Sequence, residues 1–123
     1  MTELGDPIRE RALELGRAMG QTEEYKALAR ARERIGDDRE AVRRMNQLSG
    51  LEREVSAALH SGQEPSIAVQ EEYEQVFSEL QASPSYQALV AAQSNFDKIL
   101  LRVNEEIGRG MESGSRSRII MPS

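Results

Sequence analysis

The 123-residue chain contains no cysteine and no tryptophan, a single histidine, and few aromatic residues, three Tyr and two Phe. Without cysteine, disulfides, thiolate metal sites, iron–sulfur clusters and thiol nucleophiles are chemically excluded. With His60 as the only imidazole, a histidine-rich zinc site is out of reach. No apolar run approaches the roughly 18 residues that a membrane-spanning helix requires, so no membrane partner is expected. The opening "MTELGDPIRERALELG" is acidic and basic by turns and lacks the apolar segment of a secretory signal, which makes a cytoplasmic location the expectation. No stretch alternates apolar and polar residues with period two, so no sheet is expected.

What the chain does have is charge, 30% of its residues, beside 38% apolar residues and a net charge of −5. That balance fits a folded helical protein better than a disordered one, and the length fits one domain. The charge is unevenly spread. From Lys26 to Arg44 there are seven Lys/Arg against four Asp/Glu, whereas Gln63 to Ala82 holds five Glu and no base.

Five helices follow from caps, breakers and apolar spacing. Asp6-Pro7 suits an N-cap and first helical residue. Ile8, Ala12, Leu15 and Met19 then form one stripe, with Gly20 expected as a left-handed stop. Thr22 caps a second helix with Tyr25, Leu28, Ala31, Ile35 and the stem of Arg32 inward, ending at Gly36. Asp37 and Asp38 cap a third, longer helix through Val42, Met45, Leu48, Leu51, Val55, Ala58 and Leu59. Gly50 in its middle costs about 1 kcal/mol against alanine and suggests a bend or a close crossing. "SGQEPS", residues 61–66, is a turn. Ile67, Tyr73, Val76, Phe77 and Leu80 mark a fourth helix. Ser83-Pro84 opens a long fifth helix carrying Tyr86, Leu89, Ala92, Phe96, Ile99, Leu100, Val103 and Ile107. The expected architecture is all-α: about five helices in antiparallel hairpins, forming a single domain over residues 1–110 with a disordered tail from 111 to 123.

A phrase recurs after sixty-one residues: "TEEYKALARA", 22–31, returns as "SPSYQALVAA", 83–92. Thr22 corresponds to Ser83, Tyr25 to Tyr86, Ala27 and Leu28 to Ala88 and Leu89, and Ala31 to Ala92. Each copy is a capped first turn whose ring, branched aliphatic and small residue share a face that lets another helix approach. The residues expected to carry packing and interfaces are therefore Tyr25, Leu28, Ala31, Ile35, Tyr86, Leu89, Ala92, Phe96, Leu100 and Val103.

Constellations with chemical potential are sparse. Lys26, Arg30 and Arg34 fall in one i, i+4, i+8 row, and Arg39 and Arg43 in a second, a strip suited to phosphates or an acidic partner. The competing reading is a solvated face paired with Glu33, Asp37 and Glu40. No aromatic residues interleave with the arginines as single-strand stacking requires. The acidic stretch Glu71, Glu72, Glu74 and Glu79 lacks both a calcium-loop pattern and a Glu-x-x-His pair. Arg32 and Arg102 lie nearest the apolar stripes, but neither has a catalytic Glu at a convincing spacing. No Gly-rich phosphate loop or nucleophile elbow is present. No metal, cofactor, small-molecule substrate or enzymatic activity is expected, and His60 reads as a base in the last turn of the third helix.

In order, "LGRAMGQTEEYKALARA", the "I-x-D-D-x-E-A-x-R-x-M" entry to the long helix, "SGQEPS", and the second "Y-x-A-L-x-x-A" running into "ILLRVNEEI" resemble the YlbF/YmcA family, its YheA branch most closely. The resemblance covers roughly residues 9–112. It implies a small cytoplasmic all-α bacterial protein that self-associates through helices. It also implies regulation of competence, sporulation and biofilm formation through protein complexes linked to ribonuclease Y and messenger RNA processing. The iron–sulfur clusters held by cysteines in some members cannot form here. The leading expectation is thus a non-enzymatic interaction protein, a homodimer or higher homo-oligomer because the long third and fifth helices outrun what one small chain can cover. The alternatives are a nucleic-acid-binding module on the 26–44 strip and a helical enzyme.

Overall fold

The computed structural model describes the backbone of residues 5–120 and the side chains of 5–116. Among the described residues every regular element is a helix: α1 (Asp6–Gly20), α2 (Glu23–Asp37), α3 (Arg39–His60), α4 (Ile67–Gln81) and α5 (Pro84–Ile120).

The junctions explain the segmentation. Thr22 accepts a hydrogen bond from the Tyr25 amide at 3.1 Å and donates its hydroxyl to the Met19 carbonyl at 2.7 Å, so one side chain closes α1 and opens α2. Asp38 leaves the helical region at ψ 93° and accepts from the Ala41 amide at 3.1 Å, ending α2 and starting α3 without a loop. Ser66 does the same for α4 through the Val69 amide at 3.2 Å. Gly62, at φ 73°, is the residue that must be glycine: the Gln63 amide reaches back to Ala58 and its own to Leu59, which terminates α3.

Several local expectations are corrected. Gly5, not Asp6, precedes the first helical residue, and it offers no side-chain cap; Asp6 and Pro7 lie inside the first turn. Gly20 is helical, and α1 stops in a right-handed turn at Gln21. Gly36 does not end α2, which runs to Asp37 before Asp38 stops it. Beyond Gly108 and Gly110 the chain remains helical to Ile120, where a disordered tail was expected from 111. Glycine costs about 1 kcal/mol per helical position, but neither proline nor a capping side chain interrupts this stretch, and i,i+3 and i,i+4 ion pairs, Arg109 with Glu106 and Arg116 with Glu112, lie along it. The part of that call on residues 121–123 lies outside the described residues.

A Cβ at Gly50 would meet nothing within 4 Å, so no helix crosses closely there. Gly50→Ala is therefore expected to stabilise the protein by about 0.5–1 kcal/mol, read as a higher urea midpoint at unchanged slope.

Two clusters form the interior. In one, Ile35, Ala41, Leu48, Leu51, Val76 and Leu80 join α2, α3 and α4, with Met45, Val69, Tyr73, Phe77, Tyr86 and Leu89 against them. In the other, Leu28, Ala31, Ala92 and Phe96 join α2 and α5, with Met19 and Leu89 alongside. Leu89 touches both. The main packings are α2 on α5 and α3 on α4; α1 meets α2, and α4 meets α5, only slightly.

Candidate interaction surface

The repeated phrase turns out to be part of a larger duplication. A shift of 61 carries Asp6 and Gly20, the ends of α1, onto Ile67 and Gln81, the ends of α4, and the start of α2 at Glu23 onto the start of α5 at Pro84. The apolar stripes map too: Ile8, Ala12, Leu15 and Met19 onto Val69, Tyr73, Val76 and Leu80. The chain is thus two helical hairpins whose second arms, α2 and α5, cross antiparallel. Tyr25 stacks edge-on against Phe96 with ring centroids 5.3 Å apart. The same shift turns that pair into Tyr86 and Ile35, which share the other cluster. Near the crossing, the Arg32 guanidinium donates to Gln93, its own counterpart, at 3.5 Å.

The halves differ at one junction. Asp38 breaks the first half so that α3 can fold back on α4. Its counterpart is Ile99, which offers no cap, and α5 runs straight on. The consequence is an imbalance in burial. Val76 and Leu80 on α4 are buried, while α1 buries no residue at all and leaves Ile8 61% exposed. Leu100, Ile107 and Met111 on α5 are likewise exposed. Between α1 and α5 lies a groove of about 470 Å³ lined by Leu15, Ile99, Arg102, Val103, Glu106 and Ile107.

Of the ten packing residues named from sequence, Leu28, Ala31, Ile35, Ala92 and Phe96 are buried, and Tyr86, Leu89 and Val103 are half-buried. Tyr25 and Leu100 lie at the surface, Tyr25 with its ring against Phe96. Two stripe ends also turn outward: Leu59 and Ile67 are exposed beside the 61–66 turn. Leu59 lines a second groove, about 420 Å³, together with Val55, Tyr73, Glu52 and Glu74.

The basic strip sits on the outer faces of α2 and α3, opposite the buried residues. Lys26, Arg30, Arg34, Arg39 and Arg43 are all exposed. Lys26 approaches Glu23 at 4.0 Å; the better-held cation is Arg44, which bridges Glu40 at 3.7 Å and Glu79 at 3.0 Å. Bonds from the Gln75 amide and from Arg44 hold the Glu79 carboxyl below the usual value. Of the acidic stretch, Glu79 is held in this way and Glu72 accepts from Gln47 at 3.2 Å. Among the described residues no cluster of His, Asp or Glu has the arrangement of a metal site. The ring of His60 is 2.9 Å from the Ser56 carbonyl, one turn back. No helix of the described residues is long and apolar enough to cross a membrane.

Sequence reasoning expected the long fifth helix to outrun its cover but missed the open face of α1, because periodicity marks a stripe as apolar without saying what covers it. The signal that would have found it was present: the 61-residue shift extends over the stripe of α1, and Ile99 replaces the capping Asp38. A protein-family model described as control of competence regulator ComK, YlbF/YmcA, matches residues 8–112. No curated protein matches the chain.

Proposed function

Since the chain belongs to the YlbF/YmcA family, we propose that it is a non-enzymatic regulatory protein that works through helix-mediated protein contacts, its own copies included. The observation that carries this reading is the imbalance between the two hairpins: the stripe of α4 is covered by α3, and the matching stripe of α1 is left open beside an apolar length of α5. An apolar face of this extent is what a protein-binding helix presents. The family's role, control of the competence regulator ComK, supports a regulatory task in the cytoplasm. The wider resemblance supports one exercised in complexes linked to ribonuclease Y and messenger RNA processing.

The test is genetic and biochemical together. Removing the chain from its own cells is expected to change the output of competence-regulator promoters or the lifetimes of ribonuclease Y-cleaved messages, and the change is expected to be reversed by the intact chain. Unchanged levels of both would remove this role. A second reading is favoured by the exposed row Lys26, Arg30 and Arg34 on α2: direct RNA binding at about 50 mM salt, weakening steeply as salt rises, would show that the chain touches the message itself.

A further inference from the structure

We propose that the groove at the tip of the α3–α4 hairpin is a docking site for a basic amphipathic helix of another protein. That helix inserts bulky apolar side chains among Val55, Leu59 and Tyr73 and sets Lys or Arg against Glu52 and Glu74. The inference rests on the reading of the protein as one that acts through helix contacts, and it adds a second surface with a partner of defined charge.

Between Leu51 and Val76 no residue is buried, although that length includes the end of α3, the 61–66 turn and the first half of α4. The apolar positions are there: Val55 and Tyr73 are half-buried and Leu59 is 63% exposed. The groove they line is already shaped. Tyr73 stacks on Phe77 with ring centroids 6.1 Å apart, which steadies one wall. The Gln70 side-chain amide donates to the Pro65 carbonyl at 2.9 Å and holds the turn against α4. A ligand therefore meets walls that lose little freedom on binding. Glu52 to Leu59 covers about 10 Å of α3 at 1.5 Å per residue, two helical turns, which suits a partner helix with apolar anchors at i, i+3 or i+4.

Charge selects the occupant. From Glu52 to Gln75 six Glu stand against Arg53 as the one Lys or Arg. Among the described residues none of those six carboxylates is ion-paired, whereas Glu40 and Glu79 nearby share Arg44. Glu52 on α3 and Glu74 on α4 line the groove from its two sides. Their field favours Lys and Arg beside an apolar anchor and opposes an acidic helix or a nucleic-acid backbone. The acidity belongs to this hairpin and not to the repeat, because the 61-residue shift sets Arg9 and Leu13 of α1 where α4 has Gln70 and Glu74.

Fluorescence anisotropy on the purified full chain tests this with three labelled synthetic helices. One is built of Leu and Lys with its Leu on one face, one has Glu in place of every Lys, and one has Ser in place of every Leu. The Leu–Lys helix is expected to bind in the micromolar range, more weakly as salt rises, and the other two are expected not to bind. Glu52→Lys combined with Glu74→Lys is expected to weaken binding roughly tenfold or more, and Leu59→Ser to do the same. Ile107→Glu, on the open face of α5, is expected to leave the affinity unchanged. If the double charge reversal loses its helical circular dichroism, Glu52→Gln with Glu74→Gln takes its place. Three results overturn the proposal: no binding of the Leu–Lys helix, equal binding of the Lys–Ser helix, or an affinity that neither the Glu52 and Glu74 changes nor Leu59→Ser alters. The regulatory reading is judged separately, by promoter output and message lifetimes. Peptide binding with both outputs unchanged would leave the groove standing and remove that role; changed outputs without peptide binding would remove the groove alone.

Discussion

Leu80→Ala is expected to cost about 2–5 kcal/mol of folding stability. Leu80 is 1% exposed and belongs to the cluster that ties α2, α3 and α4 together. Truncation removes the transfer energy of three carbons and leaves a cavity between helices whose other contacts, Ala41, Leu48 and Val76, prevent collapse. Leu28→Ala, in the α2–α5 cluster, is expected to fall in the same range, because Leu28 is equally enclosed. Leu101→Ala, on an exposed position of α5, is expected to cost under about 0.5 kcal/mol. The comparison is made by urea denaturation with a shared slope. Equal costs for Leu80 and Leu101 would mean that the buried and exposed faces are assigned the wrong way round.

Ser85→Ala is the second large effect, expected to lower the melting temperature by roughly 5 °C or more at neutral pH. Ser85 is 3% exposed and donates its hydroxyl to Asp38 Oδ2 at 2.6 Å, joining the first turn of α5 to the junction between α2 and α3. The other Asp38 oxygen caps α3 through the Ala41 amide. The serine bond, then the Ala41 amide, hold the Asp38 carboxyl below its ordinary value of 3.8, with the Arg44 charge a smaller contribution. A carboxylate depressed in the folded state contributes stability that is fully present above its unfolded-state value and is lost as pH falls through its folded-state value. The melting-temperature gap between wild type and Ser85→Ala is therefore expected to hold steady from pH 7 to about 5 and to narrow below about pH 4. A gap that does not change with pH would show that the serine matters for packing and not for the carboxylate.

How far the sequence could be read differs from helix to helix. Thr22, Asp38 and the Gly62 turn were legible because each acts on backbone groups within a few residues, and such bonds form wherever the chain goes. The second arms were legible because Leu28, Ala31, Ala92 and Phe96 repeat at helical spacing around a shared interior. The helical glycines were not. Gly20 and Gly36 read as stops, yet glycine only permits a left-handed turn, and the neighbouring Thr22 and Asp38 captured the termination instead. Gly108 and Gly110 read as the start of a disordered tail because their local preference is weak; the stretch around them is helical to Ile120.

The sequence by itself determined that this protein is helical, where most of its helices begin, and that one phrase is used twice, since caps, breakers and 3.6-residue periodicity are short-range properties. Only the tertiary structure decided that the two uses are unequal. Burial depends on what lies opposite a stripe, and that depends on whether the helix after each second arm turns back. Asp38 makes it turn and Ile99 lets it run on, which covers α4 and leaves α1 open.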